Sequence, residues 1–183
     1  MKTRHLIYTI FAVALAAACN HSGDKKEDST PDKAKLSQEV SDIDKSLRQD
    51  IMAESADPVK GNNAVEKFVQ YADAFPDDSI SAYYLHRAAA ISNNMGEFDK
   101  MVEYYDRVIN NYPNYASLID CYYEKAIDLD NAGRKEEARK AYQNFLDEYP
   151  DHYLASDIQK SMKLLDYSNE ELIKSFEKKN NIK

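Results

Sequence analysis

Few side chains in this 183-residue sequence stand where they could do chemistry. There are two thiols, Cys19 and Cys121, and four imidazoles, His5, His21, His86 and His152. No histidine has a second ligand at metal-binding spacing. Cys121 has no histidine near it in sequence, so its sulfur reads as a small buried apolar group and not as a nucleophile. Asp128-x-Asp130-x-x-Gly133 has the opening of a calcium loop, which takes ligands at alternate places and a bidentate glutamate at the last. Its third acidic place is Ala132, and the glutamate place is Arg139. The segment therefore reads as an acidic helix end before a turn. No catalytic residue, cofactor, metal or small-molecule substrate is expected. The formal net charge is −8, which argues against a nucleic-acid partner, since that needs a basic footprint.

The elements that carry these residues follow from three prolines. Pro76, Pro113 and Pro150 stand 37 residues apart, and each follows an aromatic residue: Phe75, Tyr112 and Tyr149. Upstream of each lies a pair spaced by four residues: Ala64/Phe68, Met101/Tyr105 and Ala138/Tyr142. A third apolar or aromatic residue comes three later: Tyr71, Val108 and Phe145. Spacings of 3 and 4 are a helix period. The preceding segments, such as Ile80, Tyr84, Leu85, Ala88 and Ile91, supply a second apolar stripe to cover the first. Gly96 and Gly133 break the two stripes apart, because glycine tolerates the backbone of a helix end. Proline ends each unit by removing an N–H and pushing the residue before it out of the helical region. The expected fold is all-α: helix, tight turn, helix, stop, repeated about three times.

A fixed period of this size marks a stacked repeat. With Ala64…Phe68…Pro76 and Ala138…Tyr142…Pro150, and with small Ala89 and Ala126 where first helices approach closely, the array resembles the tetratricopeptide repeat (TPR) family. That resemblance implies an α-solenoid of antiparallel helix pairs. The period exceeds the family's usual spacing of about 34 residues. The surplus is placed after each proline, at Asp77-Asp78-Ser79 and Asn114-Tyr115-Ala116.

Residues 35–166 are assigned to this array. Leu36, Val40, Ile43, Leu47 and Ile51 form the first helix of the first repeat; two heptads are too few for a coiled coil. A loop is expected from Ala56 to Asn62, then a capping box at Asn63-x-x-Glu66. Beyond Pro150 a stripe of Leu154, Ile158, Met162 and Leu165 continues the stack. In residues 167–183, Ser168-x-x-Glu171 caps a last helix with Leu172, Ile173 and Phe176 turned inward, closing the array.

Residues 1–18 read as a signal peptide: Lys2 and Arg4, then an apolar run from Leu6 to Ala18 that is too short to span a bilayer. Two processing fates are open. Ala16-x-Ala18 suits ordinary cleavage. Cys19 behind small residues resembles a bacterial lipobox, and lipidation of Cys19 is the favoured reading. Residues 19–34 form a flexible polar tether. Asn20 resembles the residue of lipoproteins sent to an outer membrane. The Asp24–Asp28 run resembles an acidic surface-export signal, or is a plain solvated linker. Loss of Lys2 and Arg4 leaves 22 basic against 32 acidic residues, a net −10.

In TPR arrays the first helices line a concave groove. Here that implies a face of Tyr83, His86, Ala90 and Asn93, continued by Asp120, Tyr123, Ile127 and Asp130, then Asp157, Lys160 and Leu164. Some of these tyrosines could instead pack between repeats. The face has too few cations to clamp a C-terminal carboxylate, so neutral or basic protein segments are the expected partners. In outline the chain is similar to the TPR lipoprotein of the outer-membrane β-barrel assembly machinery, which carries five repeats. Two other families share features with it: the periplasmic TPR factor of the Tol–Pal and cell-wall system, and accessory lipoproteins of surface uptake or secretion complexes. The implied role is a non-catalytic scaffold that binds other envelope proteins and is held to the membrane by its N-terminal lipid.

Overall fold

Backbone chemistry at the helix ends sets the architecture. The computed structural model describes residues 31–52 and 57–180. Among them are eight helices and no strand: α1 (Lys33–Met52), α2 (Pro58–Ala74), α3 (Ile80–Asn94), α4 (Phe98–Asn111), α5 (Leu118–Asn131), α6 (Lys135–Glu148), α7 (Ala155–Leu164) and α8 (Asn169–Asn180). Each helix from α1 to α6 packs on the next in chain order, as an array of helix pairs requires. The expectations on residues 1–30, including Cys19, lie outside the described residues.

The three stops are the same structure three times. Phe75, Tyr112 and Tyr149 leave the helical region at φ −133°, −127° and −131°, and their N–H groups still bond back to Tyr71, Val108 and Phe145. Each aromatic carbonyl then accepts from the residue three on, in Asp78, Tyr115 and His152, closing a turn over the proline. Each of those carbonyls accepts in turn from Ser81, Leu118 and Ala155, which starts the next helix. The residues beyond the usual family period are spent on this double turn. Gly96 and Gly133 sit at φ +75° and +73°. There the N–H of Glu97 bonds the Ser92 carbonyl and that of Arg134 bonds the Leu129 carbonyl, which is a Schellman cap with glycine at its left-handed position.

The second-helix repeat positions are enclosed, while in the predicted α3 stripe Ile80 is 41% exposed and Ile91 half-buried. Ala64, Phe68, Met101, Val108, Ala138, Tyr142 and Phe145 have no solvent exposure, and Tyr71 and Tyr105 nearly none. Each large side chain so buried contributes about 1.5–3 kcal/mol. Ala89 and Ala126 are also at 0% exposure, so a larger side chain at either would force the helices apart. Cys121 is buried as expected.

Three expectations are corrected. Helix α1 begins at Lys33, inside the predicted tether, because the Asp32 carboxylate accepts from the N–H groups of Ala34 and Lys35. Helix α2 begins at Pro58 and not after Asn62. Asp57 is its N-cap, accepting from the Val59 N–H at 2.9 Å, and proline at the first helical position is pre-organised for that role. Asn63 is therefore an exposed mid-helix residue and forms no capping box. At the other end the Ser168–Glu171 box does form, with both partners reciprocating. Helix α8, however, does not turn Ile173 and Phe176 inward: they are 56% and 61% exposed. Buried Ile158 and Leu165 place the apolar stripe of α7 against α6, and its other side, Ser156, Asp157, Gln159 and Lys160, is exposed and polar.

Ala138→Asp is expected to destabilise the chain by about 3 kcal/mol or more, since a carboxylate would be placed where nothing can pair with it. Gly133→Ala is expected to cost about 1 kcal/mol from backbone conformation alone, because nothing lies within 4 Å of the added methyl. Urea denaturation of the two variants checks both values.

Candidate binding face

The predicted face falls on α3, α5 and α7, and α1 ties to α3 beside it. On α1, Asp44 is only 7% exposed. Its carboxylate accepts from the Tyr83 hydroxyl at 2.7 Å, from Arg87 Nε at 2.9 Å and from Arg48 at 2.7 and 3.0 Å. Arg48 also donates to the Tyr83 hydroxyl. Burial works against the charge on Asp44, but Tyr83, Arg48 and Arg87 together outweigh it and hold the carboxyl below the ordinary carboxylate range. Tyr83 is thus a strut between the first two pairs.

Between α3 and α5 a second polar cluster forms around Tyr105. Its hydroxyl donates to Asp128 at 3.0 Å and is 3.2 Å from Glu124. Burial pushes its phenol far above the usual tyrosine value, so it remains a donor. His86 Nε2 lies 2.6 Å from Glu124, and its Nδ1 is 3.1 Å from the Tyr115 hydroxyl. A carboxylate can only accept, so Nε2 carries the proton in that contact. The His86 hydrogen bond holds Glu124 below its ordinary value, whereas burial pushes Asp128 up. Asn93 hydrogen-bonds Asp128. Farther along, Tyr142 donates to Asp130 at 2.9 Å.

Of the predicted face, then, Tyr83, His86, Asn93 and Asp130 are engaged within the array. Tyr123 and Ile127 are half-buried against the core, and the Tyr123 ring meets Phe145 edge-on at 6.5 Å. Ala90 is half-buried. Asp120, Asp157, Lys160 and Leu164 are exposed, with Lys160 paired to Asp157 at 2.7 Å. Sequence reasoning missed Asp44, Arg87, Glu124 and Asp128. The signal for Asp44 was present: it interrupts the apolar stripe Val40–Ile43–Leu47, which marks a charge that must be paired. Cys121 cannot serve as a nucleophile near neutrality, because burial pushes its thiol up to about 12. Among the described residues there is no group of three or more side chains able to hold a metal ion, and no helix long and apolar enough to cross a membrane.

The tetratricopeptide repeat family model matches residues 83–115 and 120–152. Each match runs from within a first helix through its second helix to the double turn, so the two matched segments have the layout of tetratricopeptide repeats. With the helix order they make the fold a TPR-type α-solenoid of helix pairs. No curated protein and no solved structure matches the chain.

The two carboxylates predict opposite pH behaviour. A depressed pKa, as at Asp44, contributes stability that is present above the unfolded value of about 3.9 and is lost as pH falls through the folded value. A raised one, as at Asp128, costs stability at neutral pH, and that cost disappears as pH falls. Asp44→Asn is therefore expected to lose about 2 kcal/mol at pH 7, with the deficit shrinking in acid. Asp128→Asn is expected to gain stability at pH 7, with the gain shrinking in acid. Urea denaturation between pH 3 and 7 (roughly the carboxylate range and above) reads both.

Proposed function

We propose that the chain is a non-catalytic protein-interaction scaffold: a lipid-anchored TPR lipoprotein of the bacterial envelope that organises other envelope proteins, outer-membrane protein assembly being the first system to test. The observation that carries the interaction role is the inner face. Its tyrosines and carboxylates are held in fixed positions by hydrogen bonds between successive helix pairs, so a partner meets a preorganised surface and little ordering cost is left for binding. Asp120, Glu124, Asp128 and Asp130 outnumber the cations on α5, which favours neutral or basic segments. The TPR matches support the same role, since such repeats are interaction modules. The anchor rests on the sequence Ala16-Ala17-Ala18-Cys19, and the outer-membrane address on Asn20. Location on the periplasmic side of that membrane is part of the proposal; the acidic run at residues 24–28 would favour the cell surface.

Crosslinking in intact cells, followed by mass spectrometry of what is recovered, tests the system. Recovery of the central β-barrel assembly protein supports the proposal. Recovery of Tol–Pal, cell-wall or uptake proteins moves the role there. A labelled fatty acid should be incorporated in the wild type and not in Cys19→Ser; equal labelling of both would refute the anchor. Tyr123→Ala is expected to weaken recovered binding by about ten-fold while costing about 1 kcal/mol of stability for the lost edge contact with Phe145. Global unfolding of that variant would make Tyr123 a structural residue only.

A further inference from the structure

Between the second helices α4 and α6 the chain departs from its own repeat, and the departures meet in one cleft of about 300 Å³. Tyr122 and Lys125 of α5 form its floor. Asp106 and Asn110 stand on the α4 wall, and Ala141, Asn144 and Glu148 on the α6 wall. Spacings of three and four put each wall's residues on one helical face. At the 37-residue period Lys125 takes the place of Ala88, and Asp106 that of Val69. Val69 and Ala88 belong to the apolar core, whereas Lys125 and Asp106 are an ion pair at 2.5 Å. The Lys125 side chain is only 15% exposed, so its charge carries a desolvation cost that two apolar residues avoid. The preceding unit shows that the stack does not need this pair. Ala141 takes the place of Tyr104, which stands beside Val69 one unit earlier. A methyl there leaves the ion pair facing the cleft.

The groups that face this cleft set what it can hold. Asn110 and Asn144 present an amide from each wall, and among the described residues neither side-chain amide has a hydrogen-bond partner. Each both donates and accepts. Asp106, Asp147 and Glu148 stand against one ammonium, and Asp147 accepts from the neutral Gln143, which leaves its charge in place. That balance opposes an anion, while the Lys125 ammonium on the floor opposes a cation. A neutral ligand rich in hydroxyls suits every group present, since a hydroxyl donates and accepts at once. The volume lies at the small end for a ligand site, which suits a compact ring and not a length of peptide. Tyr122 gives the C–H face of such a ring an aromatic surface to lie on.

We propose that the cleft between α4 and α6 binds a neutral sugar unit, free or within a glycan. Its hydroxyls bond the two wall amides and the carboxylates of Asp106 and Glu148, and its ring lies against Tyr122. The site is on the second helices, so it stands apart from whatever the inner face holds.

Saturation-transfer NMR of the full chain, in a detergent without a sugar headgroup, tests this. The probes are glucose, galactose, mannose and N-acetylglucosamine, each as monomer and as trimer. Transfer to at least one of them is expected. A monomer bound as tightly as its trimer supports the proposal with a free sugar as ligand; a tighter trimer supports it with a glycan. Asn110→Ala and Asn144→Ala, at exposed positions, should each weaken binding by about ten-fold and leave the urea midpoint unchanged. Ala141→Tyr, which restores the ring of the preceding pair, should abolish binding. No transfer to any of these sugars would overturn the proposal. So would binding that is unchanged in the two asparagine variants, which do not depend on the tyrosine variant folding. Preferred binding of putrescine or glucuronate would overturn the charge argument, and preferred binding of N-acetylglycinamide would make the cleft a peptide site.

Discussion

The phenol protons of Tyr105 and Tyr142 need acceptors inside a stack that excludes water, and the inner face is arranged around that need. An unmade hydrogen bond at such a depth costs about 1–3 kcal/mol. Tyr105 finds Asp128 and Glu124 on α5, and Tyr142 finds Asp130 on the same helix. Those carboxylates must then be balanced in turn: Glu124 by His86, Asp128 by Asn93. Tyr71 repeats the device one unit earlier, donating to Asp78, which Lys33 also pairs. A requirement set in the apolar core thus decides which acids stand between neighbouring repeats, and with what orientation.

This has a consequence for binding. Side chains that tie one repeat to the next cannot also swing freely to meet a partner. Tyr83, His86 and Asp130 contribute shape and fixed charge, while exposed Asp120 and half-buried Tyr123 and Ile127 supply what a partner could touch. Affinity in such a site comes from preorganisation more than from area. The cost is stability that depends on carboxylate ionisation, with Asp44 and Asp128 pulling in opposite directions.

What could be read from the sequence follows the range of each interaction. Pro76, Pro113, Pro150, Gly96 and Gly133 act through their own backbone, so their roles were legible residue by residue, and the period carried Ala64, Phe68 and Tyr105 into register. The start of α2 differs from the expected one because Asn63-x-x-Glu66 has the form of a cap, while Asp57-Pro58, with its cap six residues before Asn63, has the better chemistry for one. Pairing of Asp44 with Tyr83 and Arg87 spans about forty residues of chain, and no local pattern names such partners. On α5 the face Asp120–Tyr123–Ile127 was legible from spacing, but the adjacent face, Glu124–Asp128, became visible only once Tyr105 was in place. The amphipathic pattern of α8 showed that an apolar face exists; it held no information about what covers it.

The central claim is that partners meet this chain on its first helices. A photoreactive residue placed at Asp120 on α5, or at exposed Glu103 on the second helix α4, tests that most directly in intact cells. The account predicts a protein adduct from position 120 and none from position 103. An adduct from 103 alone would place binding on the opposite side of the solenoid and contradict it.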